Sequence, residues 1–185
     1  IGRYHYVVEN DNLDGAVSVF VAGRYAYVSN IFDNSLRIID VSNPAAPVIV
    51  GGVKDATNLN GAASVYVSGR YAYVANFSDH SLRIIDVSNP AAPVIVGGVK
   101  NATNLNSAYS VFVAGRYAYV ANQSDDSLRI IDVSNPAAPT IVGGVKDATN
   151  LDGASSVFVA GRYAYVAYTN DDSLRIIDVS GIEVQ

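Results

Sequence analysis

The chain has 185 residues, half of them hydrophobic and only 16% charged, with a formal net charge of −5. It is long enough for one domain with a substantial core and too apolar for a disordered chain. The acidic balance excludes a nucleic-acid surface of clustered Lys and Arg. The absence of cysteine excludes disulfides and thiolate metal sites, and no apolar run is long enough to span a bilayer.

In chain order, the first strand-like segment is Arg3 to Val8, "RYHYVV". Then come "SVFVAG" at 18–23, "RYAYVSN" at 24–30, "SLRIIDVS" at 35–42 and "PVIVGGV" at 47–53. Each is short, rich in Val, Ile, Tyr and Phe, and bounded by Gly, Asn, Asp or Pro, which predicts strands. Alternation within them is weak, so both faces of each sheet are expected to be covered. No window carries the spacing of an amphipathic helix.

The set then repeats. Gly23-Arg24-Tyr25 recurs at Gly69, Gly115 and Gly161, a period of 46 residues. "SLRIIDVSNPAAPVIVGGVK" at Ser35–Lys54 returns unchanged at Ser81–Lys100, with one Thr for Val in the copy from Ser127, and cut short in the copy from Ser173. Strict periods of this size mark solenoids and propellers. Four strands per period with no helix is the profile of a propeller blade. The predicted fold is all-β: a β-propeller of four-stranded antiparallel blades, four per chain. The blades fall at about 9–54, 55–100, 101–146 and 147–185 plus 1–8.

The last blade is split because the unit is permuted. Asn12–Ala16 matches Asn150–Ala154 three periods on, so Arg3–Val8 projects onto the outermost strand, which the fourth copy lacks. The expectation is strand-exchange closure, with residues 1–8 completing the sheet of the last blade and removing a free edge.

The run "SLRIIDVSNPAAPVIVGG", an apolar stretch ending in Asp followed by a polar turn with Pro, resembles the LVIVD repeat. The likeness covers nearly the whole chain and departs at "DVSGIEVQ", which lacks both prolines. It implies a β-propeller of the kind found in bacterial and archaeal surface proteins, hence an extracellular or cell-surface location, and no defined activity. The near-identity of the copies fits either recent amplification or engineering.

Most marked residues read as structural. Asp40, Asp86, Asp132 and Asp178 end apolar strands and need partners. Arg24, Arg70, Arg116 and Arg162, or nearby turn amides, are the candidates. "SNPAAP" is a turn in which Asn caps its own backbone and Pro removes donors. Gly51-Gly52 suggests a bulge or close backbone approach in the outermost strand.

Variation concentrates in one loop: "NIFDNS", "NFSDHS", "NQSDDS" and "YTNDDS". With the connections between blades it gathers Asp33, Asp79, Asp125, Asp171, Asp55 and Asp147 on one face, a candidate binding rim for a cation or a polar ligand such as a glycan. An enzyme is not expected, and no cofactor is implied. The sequence has neither a G-x-S-x-G elbow nor a Gly-rich phosphate loop before a helix, and channel carboxylates, a remote hydrolase reading, would be alike in every blade.

The expected function is a scaffold or assembly module, with the ligand-binding rim as the alternative. Short strands and small connections, with no helix to fill a wedge, favour blades packed at a shallow angle. One chain then supplies half a ring, and the expected partner is a second copy, a homodimer closing an eight-bladed ring rather than a four-bladed monomer.

Overall fold

The computed structural model describes residues 13–181. They form fifteen strands and no helix longer than a turn. Blade 1 comprises β1 (Ala16–Ala22), β2 (Tyr25–Asn30), β3 (Ser35–Asp40) and β4 (Val48–Lys54). Blade 2 comprises β5 (Ala62–Ser68), β6 (Tyr71–Asn76), β7 (Ser81–Asp86) and β8 (Val94–Lys100). Blade 3 comprises β9 (Ala108–Ala114), β10 (Tyr117–Asn122), β11 (Ser127–Asp132) and β12 (Thr140–Lys146). Blade 4 has β13 (Ala154–Ala160), β14 (Tyr163–Tyr168) and β15 (Ser173–Asp178) among the described residues. The segment expected to complete blade 4, residues 1–8, lies outside them.

Each blade is an antiparallel meander with strands in sequence order. The innermost strands β1, β5, β9 and β13 pack one against the next along the chain. Two-residue turns at Gly23-Arg24 and its repeats join the first two strands, with φ near +59° at each of the four glycines. Only a residue without Cβ adopts that conformation cheaply.

The outermost strands are bulged. Ile38 faces Gly51 while Ile39 faces Ile49, leaving Val50 as the extra residue, and the same shift recurs at Ile84/Ile85 and Ile130/Ile131. The bulge brings the glycine pair against the next blade. A Cβ on Gly51 would lie 2.2 Å from Pro90 O, and one on Gly97 2.2 Å from Pro136 O. The "SNPAAP" turns of blades 2 and 3 therefore rest on the bare glycine backbone of the blade before them.

Three hydrophobic layers fill the gaps between blades. Leu36 and Ile38 of blade 1 meet Leu59, Val65, Val67 and Val74. Leu82 and Ile84 of blade 2 meet Leu105, Val111, Val113 and Val120. Leu128 and Ile130 of blade 3 meet Leu151, Val157, Val159 and Val166. Each such side chain contributes about 1.5–3 kcal/mol by burial. Both faces of the inner blades are covered, which is why their strands lack alternation.

A column of aromatic rings crosses these layers. Phe20, Tyr66, Phe112 and Phe158 occupy one repeat position on successive inner strands, with centroids 4.6, 4.8 and 4.8 Å apart. Tilted and edge contacts of this kind add about 0.5–1.5 kcal/mol per pair beyond burial.

Candidate functional site

The residues of the candidate binding rim sit inside the chain's own polar networks. Asp33 is buried at the turn between β2 and β3. Ser35 Oγ donates to its Oδ2 at 2.7 Å, an Arg37 guanidinium N–H donates to the same oxygen at 2.9 Å, and Lys54 from the neighbouring β4 holds Oδ1. Asp79 with Arg83 and Lys100, and Asp125 with Arg129 and Lys146, repeat the arrangement. Burial pushes these carboxyls up, but the hydrogen bonds from Lys, Ser and Arg outweigh it and leave each below its ordinary value. Asp171 pairs with Arg175 at 3.1 Å in a more open setting.

Asp55 and Asp147 cap turns. Asp55 Oδ1 accepts the Thr57 and Asn58 amides, both at 2.9 Å, while Oδ2 accepts Asn58 Nδ2 at 2.8 Å. Asp147 does the same with Thr149 and Asn150. Asn101 takes this place in the second connection with equal geometry, receiving the Thr103 and Asn104 amides at 3.0 Å. A neutral amide serves as well, so the position needs an acceptor rather than a charge. Of the candidate rim, Asp33, Asp79, Asp125 and Asp171 are paired with the chain's own Arg and Lys, and Asp55 and Asp147 are engaged by turn amides. Among the described residues no group of three or more His, Asp or Glu is placed to hold a metal ion.

The opposite rim carries the second charged series. Arg24 pairs with Asp40, Arg70 with Asp86, Arg116 with Asp132 and Arg162 with Asp178. The other carboxylate oxygen of Asp40 accepts the Ser42 amide at 2.9 Å, which fixes the start of the "SNPAAP" turn. Each guanidinium also lies 5.3–5.5 Å from the ring of the following tyrosine. The hydrogen bond from Arg24, then those from Ser42, hold the Asp40 carboxyl well below the ordinary value, and its three counterparts behave alike. Exposed pairs of this kind add little singly, but four act together on acid stability.

A carboxyl whose pKa is depressed by folding stabilises the fold above its unfolded pKa and loses that contribution as pH falls toward the folded value. The melting temperature is therefore expected to stay level from about pH 7 to 5 and to drop steeply below about pH 4. Thermal melts followed by circular dichroism at stepped pH check this; a melting temperature unchanged down to pH 2 would contradict it.

Sequence reading missed three polar series. The partners Arg37 and Lys54 were one, although the spacing Asp-x-Ser-x-Arg was visible. The second is buried Asn30, whose Nδ2 donates to Val28 O and Ser35 Oγ, repeated at Asn76 and Asn122. The third links blades: Ser18, Ser64 and Ser110 each accept a backbone amide from the next blade through Oγ. Serine in a strand that otherwise reads V-F-V was the available signal.

Among the described residues, the two ends of the blade series are apolar and open. Val19 is 62% exposed on β1, whereas its counterparts Val65, Val111 and Val157 are buried. On the far side of blade 4, Leu174 is 63% and Ile176 60% exposed, whereas Leu36, Leu82 and Leu128 are fully buried. Phe158, the last ring of the aromatic column, is open as well.

Four antiparallel sheets packed face to face along a row of inner strands define a β-propeller. The LVIVD repeat matches residues 15–55, 61–101, 106–147 and 153–181, and the chain belongs to the LVIVD-repeat family. No curated protein matches the sequence.

Among solved structures, the computationally designed Ika4 protein is similar over 97% of this chain and 100% of its own, with a TM-score of 0.72 and 3% identity. The computationally designed Ika8 protein covers 91% of this chain with 47% of its own, at a TM-score of 0.68 and 4% identity. The β-propeller domain of Myceliophteria thermophila Cps50 (Swd1) covers 87% with 52% of its own, at a TM-score of 0.67 and 16% identity. At such identities the likeness is one of fold alone. The chain spans about half the length of the latter two.

Proposed function

We propose that the chain is a non-enzymatic assembly scaffold, two copies of which associate to close an eight-bladed ring. The observation that carries this reading is the pair of open end faces. Side chains that every internal blade buries against its neighbour stand exposed at both ends of the series. Several hundred square ångströms of contiguous apolar surface is a common mark of an association site. The faces are complementary by construction, since each carries the residues of one side of the internal joints.

Two further points support the reading. The end faces of the four blades stand open among the described residues, and the Ika8 chain that this chain resembles is about twice its length, with 47% of it matched. The carboxylates of both rims are held in like roles from repeat to repeat, whereas acid–base chemistry needs two carboxylates in unlike environments.

Light scattering on the chromatographed chain tests the assembly. The expected mass is twice the chain's 19.5 kDa. A mass that stays at one chain across micromolar concentrations would overturn the reading.

A further inference from the structure

We propose that the seam between two copies is another internal joint, in which Ser156 and Asp172 of one copy accept the backbone amides of Val19 and Gly15 of the next. This rests on the two-copy reading above and adds its register and its polar contacts.

The three joints within the chain share two hydrogen bonds besides their apolar layer. In the first, serine Oγ accepts an amide 47 residues later: Val65 to Ser18 at 3.4 Å, Val111 to Ser64 at 3.3 Å and Val157 to Ser110 at 3.2 Å. In the second, the residue before each β3-type strand accepts an amide 27 residues later. Gly61 donates to Asn34 Oδ1 at 2.9 Å, Ser107 to His80 Nδ1 at 3.0 Å and Gly153 to Asp126 Oδ1 at 3.4 Å. The acceptors differ as Asn, His and Asp, but all adopt φ between 49 and 53°, so the backbone aims them alike.

Ser156 and Asp172 are the next members of the two series. Asp172 has the same φ of 49°, and both residues are exposed. The amides they would meet lie beyond the end of this chain, 47 and 27 residues on. Counted in whole repeats, those positions are Val19 and Gly15, at the other end of the series.

Gly15 adopts φ +71°, as Gly61 does with +72° in the joint between blades 1 and 2. Val19 lies on inner edge strand β1, as Val65 does on β5, whose amide is given to the neighbouring blade. Between these bonds lie the open apolar residues, Leu174, Ile176 and Phe158 on one side and Val19 and Val21 on the other. The two faces differ, so the contact is head to tail and closes only because a second seam completes the ring.

Since the chain has no cysteine, an engineered pair reports the register directly. Val19→Cys with Ser156→Cys places one thiol on each end face at exposed positions, where substitution spares the core. Ser110→Cys with Val157→Cys is the control, because these residues meet inside one chain. On mild oxidation the control should form its disulfide within one chain. The end-face pair should give a covalent species of two chains with both thiol pairs consumed, seen by non-reducing electrophoresis and mass spectrometry.

A disulfide within a single chain would show the chain closing on itself and would overturn this inference and the two-copy reading together. A ladder of larger oligomers would overturn both as well. If reduced protein scatters as two chains but the end-face pair stays uncoupled while the control oxidises, the register is wrong and the two-copy reading stands.

Discussion

Gly97→Ala is expected to lower stability by about 3 kcal/mol, a fall in melting temperature of roughly 6–12 °C for a chain of this size. The added Cβ would lie 2.2 Å from Pro136 O and 2.8 Å from the backbone of Ala137. Those atoms are main chain in a turn held by Asn135, whose Oδ1 accepts the Ala137 amide and whose carbonyl accepts that of Ala138. They cannot swing aside as a flexible side chain would, so the outer parts of blades 2 and 3 must separate.

Gly69→Ala is the control. A Cβ there meets nothing within 4 Å, and the cost is confined to φ +59°, about 1 kcal/mol. Equal losses for the two variants in urea unfolding would mean that the close approach is not what the glycine pair serves.

The glycine pair shows how far the sequence could be read. A bulge in the outermost strand is a local property, and Gly-Gly beside a strand pattern announces it. The prolyl carbonyl that the bulge receives belongs to the next repeat, and no local pattern names it. The same division runs through the charged residues. Asp40 ends an apolar run on the strand paired with the one that Arg24 opens, so strand pairing alone suggests that they meet. Asp33 sits in a turn between two strands, where an exposed carboxylate is the natural reading. Its burial follows from Lys54, which comes beside it only because Ser35 and Lys54 are register partners on β3 and β4. The aromatic column was less legible still. Its rings lie one repeat apart in sequence, and each strand contributes a single Phe or Tyr to the column. The open end faces, by contrast, repeat positions that are buried in the middle of the series, so their apolar character follows from the repeat itself.

One substitution made in two repeats separates folding from assembly. Leu82→Ala and Leu174→Ala remove the same side chain from the same position of the blade, yet Leu82 is fully buried between blades 2 and 3 while Leu174 is 63% exposed on blade 4. Leu82→Ala is expected to cost about 3 kcal/mol of folding stability, the transfer term plus the cavity left among Leu105, Val111 and Ile84. Leu174→Ala in dissociated chains is expected to change folding stability by no more than about 0.5 kcal/mol, since water already covers the side chain.

In the two-copy ring the balance reverses. Leu174 then fills the place that Leu82 fills inside the chain, and its truncation should weaken each seam on the order of a hundredfold. Sedimentation equilibrium over a concentration series reads the second effect, and urea unfolding at high dilution reads the first. A Leu174→Ala protein that associates as tightly as the parent would show that this face is not the one the second copy covers. A Leu82→Ala protein of unchanged stability would remove the premise that the joints between blades hold the fold together.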